Sequence, residues 1–160
     1  YIIISRLFEL VYSNRNTSRL LKIGGVEYFS FHYRFLVLFH IFFVLYFLLK
    51  SFDTDHLDNK YLIIFIFIQL IRFKVIFDLG KFWTTRIIVL KNVPMVKSGI
   101  YKYLKHPNYL IVFFEVFLVC LIFNDYNALI YFSLVNLCLL LIRIYFEDKA
   151  NKKRREGMKS

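Results

Sequence analysis

Hydrophobic residues in this chain come in long runs that short polar segments separate. Four runs cover residues 33–49, 61–79, 107–123 and 126–146. Each is close to the roughly 20 residues that a helix needs to cross about 30 Å of hydrocarbon. Residues 1–12 form a fifth, shorter run, which we interpret as the second half of a helix that begins upstream. The pattern predicts an all-α integral membrane helical bundle of about five transmembrane helices.

The last two runs are joined only by a tight turn at residues 124–125. A short connection places consecutive helices side by side and antiparallel, so the pattern predicts a C-terminal helical hairpin. We interpret residues 1–160 as a single membrane domain, and residues 147–160 as its basic cytoplasmic tail.

The composition agrees with a membrane protein. Apolar residues make up 59% of the chain and aromatic residues 21%, whereas soluble domains are about 45–50% apolar. Cys120 and Cys138 both lie inside apolar runs, so we expect thiols rather than a disulfide scaffold.

The basic residues predict an orientation. The chain has 22 Lys and Arg against 11 Asp and Glu, and 19 of the 22 fall in residues 13–34, 72–106 and 143–160. These segments share one side of the predicted bundle, which the positive-inside rule makes cytoplasmic. We therefore predict an outer N-terminus and a cytoplasmic C-terminus. The basic tail is expected to contact membrane lipids and no nucleic acid.

Charged residues inside the spans are candidates for function, because a charge in hydrocarbon costs several kcal/mol unless it is buried in the bundle or in a wet cavity. Arg6 and Glu9 are three residues apart and can pair on one helix face. Glu115 has no partner on its own helix, so another helix, a ligand or a proton must provide one. A purely structural interhelical pair is the alternative. His40 is expected to be a satisfied buried histidine.

The last span carries a polar stripe that includes Arg143 and Glu147. Their spacing places both on one helix face near the cytoplasmic end. The simple interpretation is structural: the charged ends of the two side chains snorkel to the membrane surface, where Arg143 pairs with Glu147 four residues later. A cavity that opens to the cytoplasm and holds Arg143, Glu147 and Glu115 is the functional one.

Pro107 begins the fourth apolar run, where its missing N–H has no cost. His106, Asn108 and Tyr109 then gather at a helix N-terminus, whose free N–H groups favour an anion. No metal is expected, because no His, Cys and carboxylate group has ligand spacing. The Rossmann, P-loop and G-x-S-x-G patterns are absent as well.

Four segments together resemble a known family: residues 79–86 (Leu-Gly-Lys-Phe-Trp-Thr-Thr-Arg), residues 99–110 with His-Pro-Asn-Tyr, Glu115, and residues 143–148 (Arg-Ile-Tyr-Phe-Glu-Asp). This pattern resembles the isoprenylcysteine carboxyl methyltransferase family, most closely its bacterial branch, which includes methyltransferases of alkylpyrone synthesis. Three positions depart from the family pattern: Ile100, Lys105 and Asp148 replace Pro, Arg and Glu.

The resemblance implies an S-adenosylmethionine-dependent O-methyltransferase in a bacterial inner membrane. It implies cofactor binding by His106, Pro107, Tyr109 and Glu147, and an acceptor that faces Arg143 and Glu115. The acceptor would be lipophilic, either a prenylcysteine-like carboxylate or an alkylpyrone-like hydroxyl.

The two acceptor types differ in what they need from the protein. A carboxylate is already a nucleophile, so Arg143 has only to orient it, whereas a hydroxyl needs a general base, for which Glu115 is the candidate. The alternatives are a truncated non-catalytic membrane protein of the same fold and a sterol-reductase-like membrane reductase.

Overall fold

The computed structural model describes residues 1–54, 56–91, 93–96 and 98–157, with side chains through residue 152. Its described part contains five α-helices, which are α1 (Ile2–Lys22), α2 (Ser30–Lys50), α3 (Asn59–Leu79), α4 (Pro107–Ile122) and α5 (Tyr126–Gly157). The expectation of a helical bundle is confirmed. The connections also contain two short strands, β1 (Val26–Tyr28) and β2 (Ile87–Val89), which the hydrophobic pattern did not predict.

Two helices in the described part are long and apolar enough to cross a membrane, Ser30–Lys50 and Tyr126–Lys152. The apolar helix Pro107–Ile122 is shorter, and the count of about five spans stays a prediction. Many large apolar side chains are exposed on the outside of the fold, including Phe42 and Leu141. An apolar exterior of this extent is what a lipid-facing surface requires.

The first and last helices are longer than the apolar runs that predicted them. α1 continues to Lys22 because Ser13, Asn16 and Thr17 extend its buried face. α5 continues from the apolar run through Gly157, so the start of the predicted tail is helical. Ala150 is almost fully buried there against β2, and this packing favours continuation of the helix beyond residue 146.

The bundle is held by α3, α4 and α5, with α2 packed against α5. α4 is the most buried helix, with nine buried residues among its 16. Rings of α2 pack against Phe132 of α5 at centroid distances of 5.2 Å from Phe43 and 6.0 Å from Phe39. The two strands pair antiparallel, with Val26 opposite Val89 and Tyr28 opposite Ile87.

Asp125 fixes the turn between α4 and α5. Its Oδ1 accepts a hydrogen bond of 2.9 Å from the Ala128 N–H, and its Oδ2 accepts one of 2.7 Å from Tyr46 and another from Lys50. Burial opposes ionisation, but these hydrogen bonds outweigh it and lower the pKa of Asp125 to about 2. The turn is therefore most stable above about pH 4, and this stabilisation is lost as the pH falls through about 2.

Two substitutions at Asp125 separate the helix cap from the ion pair. We expect Asp125→Asn to keep the cap, because Asn is an equally good N-cap, and to lose the charged acceptor that Tyr46 and Lys50 share. Asp125→Ala removes both and is expected to cost about 1 kcal/mol more. Thermal unfolding in detergent at pH 7 measures the stability of the two variants. Equal melting temperatures for Asp125→Asn and Asp125→Ala would contradict a capping role.

Candidate functional site

A cavity of about 1310 Å³ lies among α1, α2, α4 and α5. Apolar side chains of α1 and α2 line part of it, including Leu7, Leu10, Val37 and Ile41. The β2 segment, the start of α4 and the end of α5 supply the polar part of its wall, including His106, Pro107, Tyr109, Arg143 and Glu147. The cavity therefore joins an apolar wall to a polar one.

The polar wall is centred on Tyr109 in the first turn of α4. Its hydroxyl donates a hydrogen bond to Glu147 Oε2 and accepts one of 3.0 Å from Arg143 Nε. The Arg143 guanidinium also lies 5.6 Å from the centre of the Tyr109 ring. The tight turn makes α4 and α5 antiparallel neighbours. The first turn of α4 therefore lies beside Arg143 and Glu147, which are four residues apart and share one face of α5.

Arg143 also ties α5 to the connection that precedes β2. Its Nη2 donates a hydrogen bond of 2.6 Å to the Thr85 carbonyl. The Thr85 N–H in turn donates to the Ser13 hydroxyl at 2.8 Å. Arg143 thus connects α5 to α4 directly and to α1 through Thr85, a residue of the segment 79–86 that carries the family resemblance.

His106 completes the polar wall. Its ring stacks on Tyr109 at a centroid distance of 5.4 Å and an angle of 19°. Its Nδ1 lies 3.9 Å from Glu147 Oε1 and its Nε2 lies 3.3 Å from Asp148 Oδ1, to which Lys105 Nζ approaches within 2.6 Å. The acidic pair after the last apolar run therefore faces basic side chains from the start of α4.

The connection before α4 is anchored to the end of α3. Asp78 Oδ2 accepts a hydrogen bond of 2.9 Å from the Ile100 N–H. Gly99 has a φ of +57°, and a Cβ there would lie 2.1 Å from Asp78 Oδ2, so this turn requires glycine. Tyr101 follows and lines the cavity. Burial and the carboxylates of Glu147 and Asp78 raise the pKa of its hydroxyl above the ordinary value.

Glu115 finds its partners on other helices, as its position required. Its Oε2 accepts a hydrogen bond of 2.6 Å from Arg6 Nη2 and another from Arg72, and its Oε1 accepts one of 2.7 Å from Gln69. The carboxylate is almost fully buried. Glu115 lines a small separate pocket and is not part of the wall of the large cavity.

Arg72 holds the other carboxylate of this buried cluster. It forms a bidentate, fork-like pair with Glu9, in which Nε lies 2.6 Å from Oε1 and Nη2 lies 2.6 Å from Oε2. Arg6 Nη1 lies 3.1 Å from Glu9 Oε2, which confirms the pairing on α1. Two guanidiniums and two carboxylates make the cluster formally neutral.

Sequence reasoning did not identify Arg72 as part of a site. The basic-residue pattern places Arg72 in a cytoplasmic segment, yet only 3% of its surface is exposed. The signal that would have found it is its spacing from Gln69, since residues three apart share one face of α3. Among the described residues, no group of three or more His, Cys, Asp or Glu is placed to hold a metal ion.

Comparison with known proteins identifies relatives over most of the chain. The profile of the isoprenylcysteine carboxyl methyltransferase (ICMT) family matches residues 61–152. The uncharacterized protein YpbQ of Bacillus subtilis is 31% identical over 153 residues, covering 93% of this chain and 91% of that protein. An uncharacterized protein of Haemophilus influenzae is 26% identical over 155 residues, covering 93% of this chain and 90% of that one. No solved structure matches.

Proposed function

The chain belongs to the isoprenylcysteine carboxyl methyltransferase family, and from this membership we propose that it is an S-adenosylmethionine-dependent O-methyltransferase for a lipophilic acceptor. The family makes it a membrane protein with a methyltransferase-like domain. One observation carries the finer proposal: the same cavity is polar at Tyr109, Arg143 and Glu147 and mostly apolar along α1 and α2. A charged cofactor and a lipophilic acceptor need such a combination of surfaces.

The polar wall has unused hydrogen-bonding capacity that suits the cofactor. Asn108 Oδ1 and Arg86 Nε are buried without a hydrogen-bond partner in the described part of the chain, and both residues line the cavity. Buried polar atoms without partners are rare and call for a ligand or water. The Glu147 carboxylate suits a cationic ligand, and the stacked rings of His106 and Tyr109 suit a planar one.

S-adenosylmethionine supplies a methyl group that is already activated on a sulfonium. The protein then has to exclude water, align the acceptor oxygen and neutralise charge. We assign cofactor binding to His106, Pro107, Tyr109 and Glu147. Pro107 is fully buried at the first position of α4 and fixes the backbone that presents His106 and Tyr109. Arg143 is assigned to the acceptor side of the same wall.

The contacts of Glu115 favour a supporting role over that of a base. Its oxygens are occupied by Arg6, Arg72 and Gln69. An ion-paired carboxylate outside the large cavity is a poor proton acceptor for a substrate inside it, because proton transfer needs hydrogen-bond reach. We propose that Glu115 positions Arg6 beside the cavity.

We also propose a multi-pass arrangement in a bacterial inner membrane, with the N-terminus outside and the C-terminus in the cytoplasm. The basic residues of the connection before α4 and of the end of α5 support it. The same end of the bundle carries the polar wall, so a water-soluble cofactor would enter from the cytoplasm.

Binding of S-adenosylhomocysteine to the detergent-purified chain tests the proposal. We expect saturable binding, and at least a tenfold loss of affinity in Glu147→Ala, because the variant removes the carboxylate that faces the cationic end of the ligand. Asp53→Asn is the control, since Asp53 is an exposed acid outside the cavity. A folded chain that binds no S-adenosylhomocysteine would contradict the proposal.

A further inference from the structure

His40 lies in the middle of α2, on the wall of the large cavity. The same ring borders the small pocket that Glu115 lines, so it stands between the two spaces. It is half-buried, surrounded mainly by apolar side chains of α1 and α2. A histidine at this depth is a polar group that an acceptor on the apolar side would meet.

A single hydrogen bond fixes the state of the ring. His40 Nδ1 lies 2.8 Å from the Leu36 carbonyl oxygen. A carbonyl only accepts, so Nδ1 carries the hydrogen, and in the neutral ring Nε2 keeps its lone pair. In the described part of the chain Nε2 has no hydrogen-bond partner. The ring therefore presents a free proton acceptor.

The carboxylates on the cavity wall are already engaged. Glu9 is held by Arg72 and Arg6, and Glu147 accepts from Tyr109. The charged groups that border the same spaces as His40 are Arg6 and Glu9 from α1, Arg72 from α3 and Glu115 from α4. Their charges balance, and Arg6 lines the large cavity beside His40.

We propose that His40 is the general base for a weakly acidic hydroxyl, a phenol or an enol, on the lipophilic acceptor. This inference rests on the proposed methyltransferase function and assigns a base for the hydroxyl type of acceptor. The acceptor O–H bond breaks and its proton passes to His40 Nε2. The oxygen electron pair forms the new O–CH₃ bond, while the bond from that methyl to sulfur breaks and leaves its electron pair on sulfur. Arg6 stabilises the negative charge on oxygen, and the proton then leaves to water.

A cofactor-free measurement tests the base directly. The probe is a 2-nitrophenol with a long alkyl chain, whose ionised form absorbs visible light, and its ionisation is followed against pH in the bound state. We expect the midpoint in the unaltered chain to lie about one pH unit or more below that in His40→Gln. His32→Gln is the matched control, because His32 is on the same helix, bonds to the Leu139 carbonyl and does not line the cavity. Equal midpoints in the unaltered chain and His40→Gln overturn the proposal.

Methyl transfer provides the second test. We expect His40→Gln to slow transfer to a long-chain alkylphenol by about 100-fold, with unchanged affinity for S-adenosylhomocysteine. His40→Phe, which fills the same apolar wall, guards against a folding defect and is expected to give the same loss. Transfer to an S-farnesyl carboxylic acid but not to the alkylphenol overturns the hydroxyl assignment while the methyltransferase proposal stands. Failure to bind S-adenosylhomocysteine overturns the methyltransferase proposal. The nitrophenol midpoints still show in that case whether His40 accepts a proton.

Discussion

Replacement of Arg72 by Met is expected to lower the free energy of unfolding by about 3–5 kcal/mol. The guanidinium holds both Glu9 and Glu115, and all three side chains are almost fully buried. Its removal leaves two buried carboxylates with Arg6 as their remaining cationic partner. The burial of an unpaired charge is among the largest penalties that a single substitution can impose.

Urea unfolding in detergent measures this loss, with two comparison variants. Lys74→Met removes a cation two residues further along α3, but Lys74 is exposed and is expected to contribute little. Arg72→Lys keeps the charge but cannot form the fork with Glu9, so we expect an intermediate loss. If Arg72→Met and Lys74→Met proved equally stable, the buried cluster would not hold α1, α3 and α4 together.

Two helix starts were predictable from the sequence because particular residues mark them. Pro107 begins α4 in the structure as it begins the apolar run, since proline is favoured in the first helical turn. The short turn around Asn124 and Asp125 places the start of α5 at Tyr126. Length and hydrophobicity are local properties, so the sequence alone is enough to identify these elements.

The two strands could not be predicted, because each contains only three residues. Val26–Tyr28 and Ile87–Val89 are about 60 residues apart, and their pairing depends on the packing of α1 and α5 around them. The ends of α1 and α5 depend on the same packing. Hydrophobic length predicts where a helix crosses the apolar layer but not how far it continues beyond it.

In the candidate site, too, the sequence could indicate some contacts but not others. Tyr109, Arg143 and Glu147 come together because helix period and a tight turn determine which faces of α4 and α5 meet, so the sequence could indicate their meeting. The contact between Arg72 and Glu115 depends on how α3 is rotated against α4. Rotation about a helix axis is set by packing of the whole bundle, and no single segment encodes it.

Replacement of Arg143 by Met is expected to slow methyl transfer by about 100- to 1000-fold while the chain stays folded. The guanidinium orients Tyr109 and the Thr85 carbonyl at the cavity wall, and loss of one preorganised charged donor in a closed site has an effect of this size. Both acceptor types should be affected, because Arg143 acts on the shared wall rather than on the proton of a hydroxyl.

Initial rates with an alkylphenol and with an S-farnesyl carboxylic acid measure the effect of Arg143→Met. Lys149→Met is the matched control, since Lys149 is an exposed cation six residues further along α5. Arg143→Lys keeps the charge but cannot reach Tyr109 and Thr85 at once, so we expect it to remain impaired. Full activity in Arg143→Lys would mean that charge alone matters, and full activity in Arg143→Met would exclude Arg143 from the reaction site.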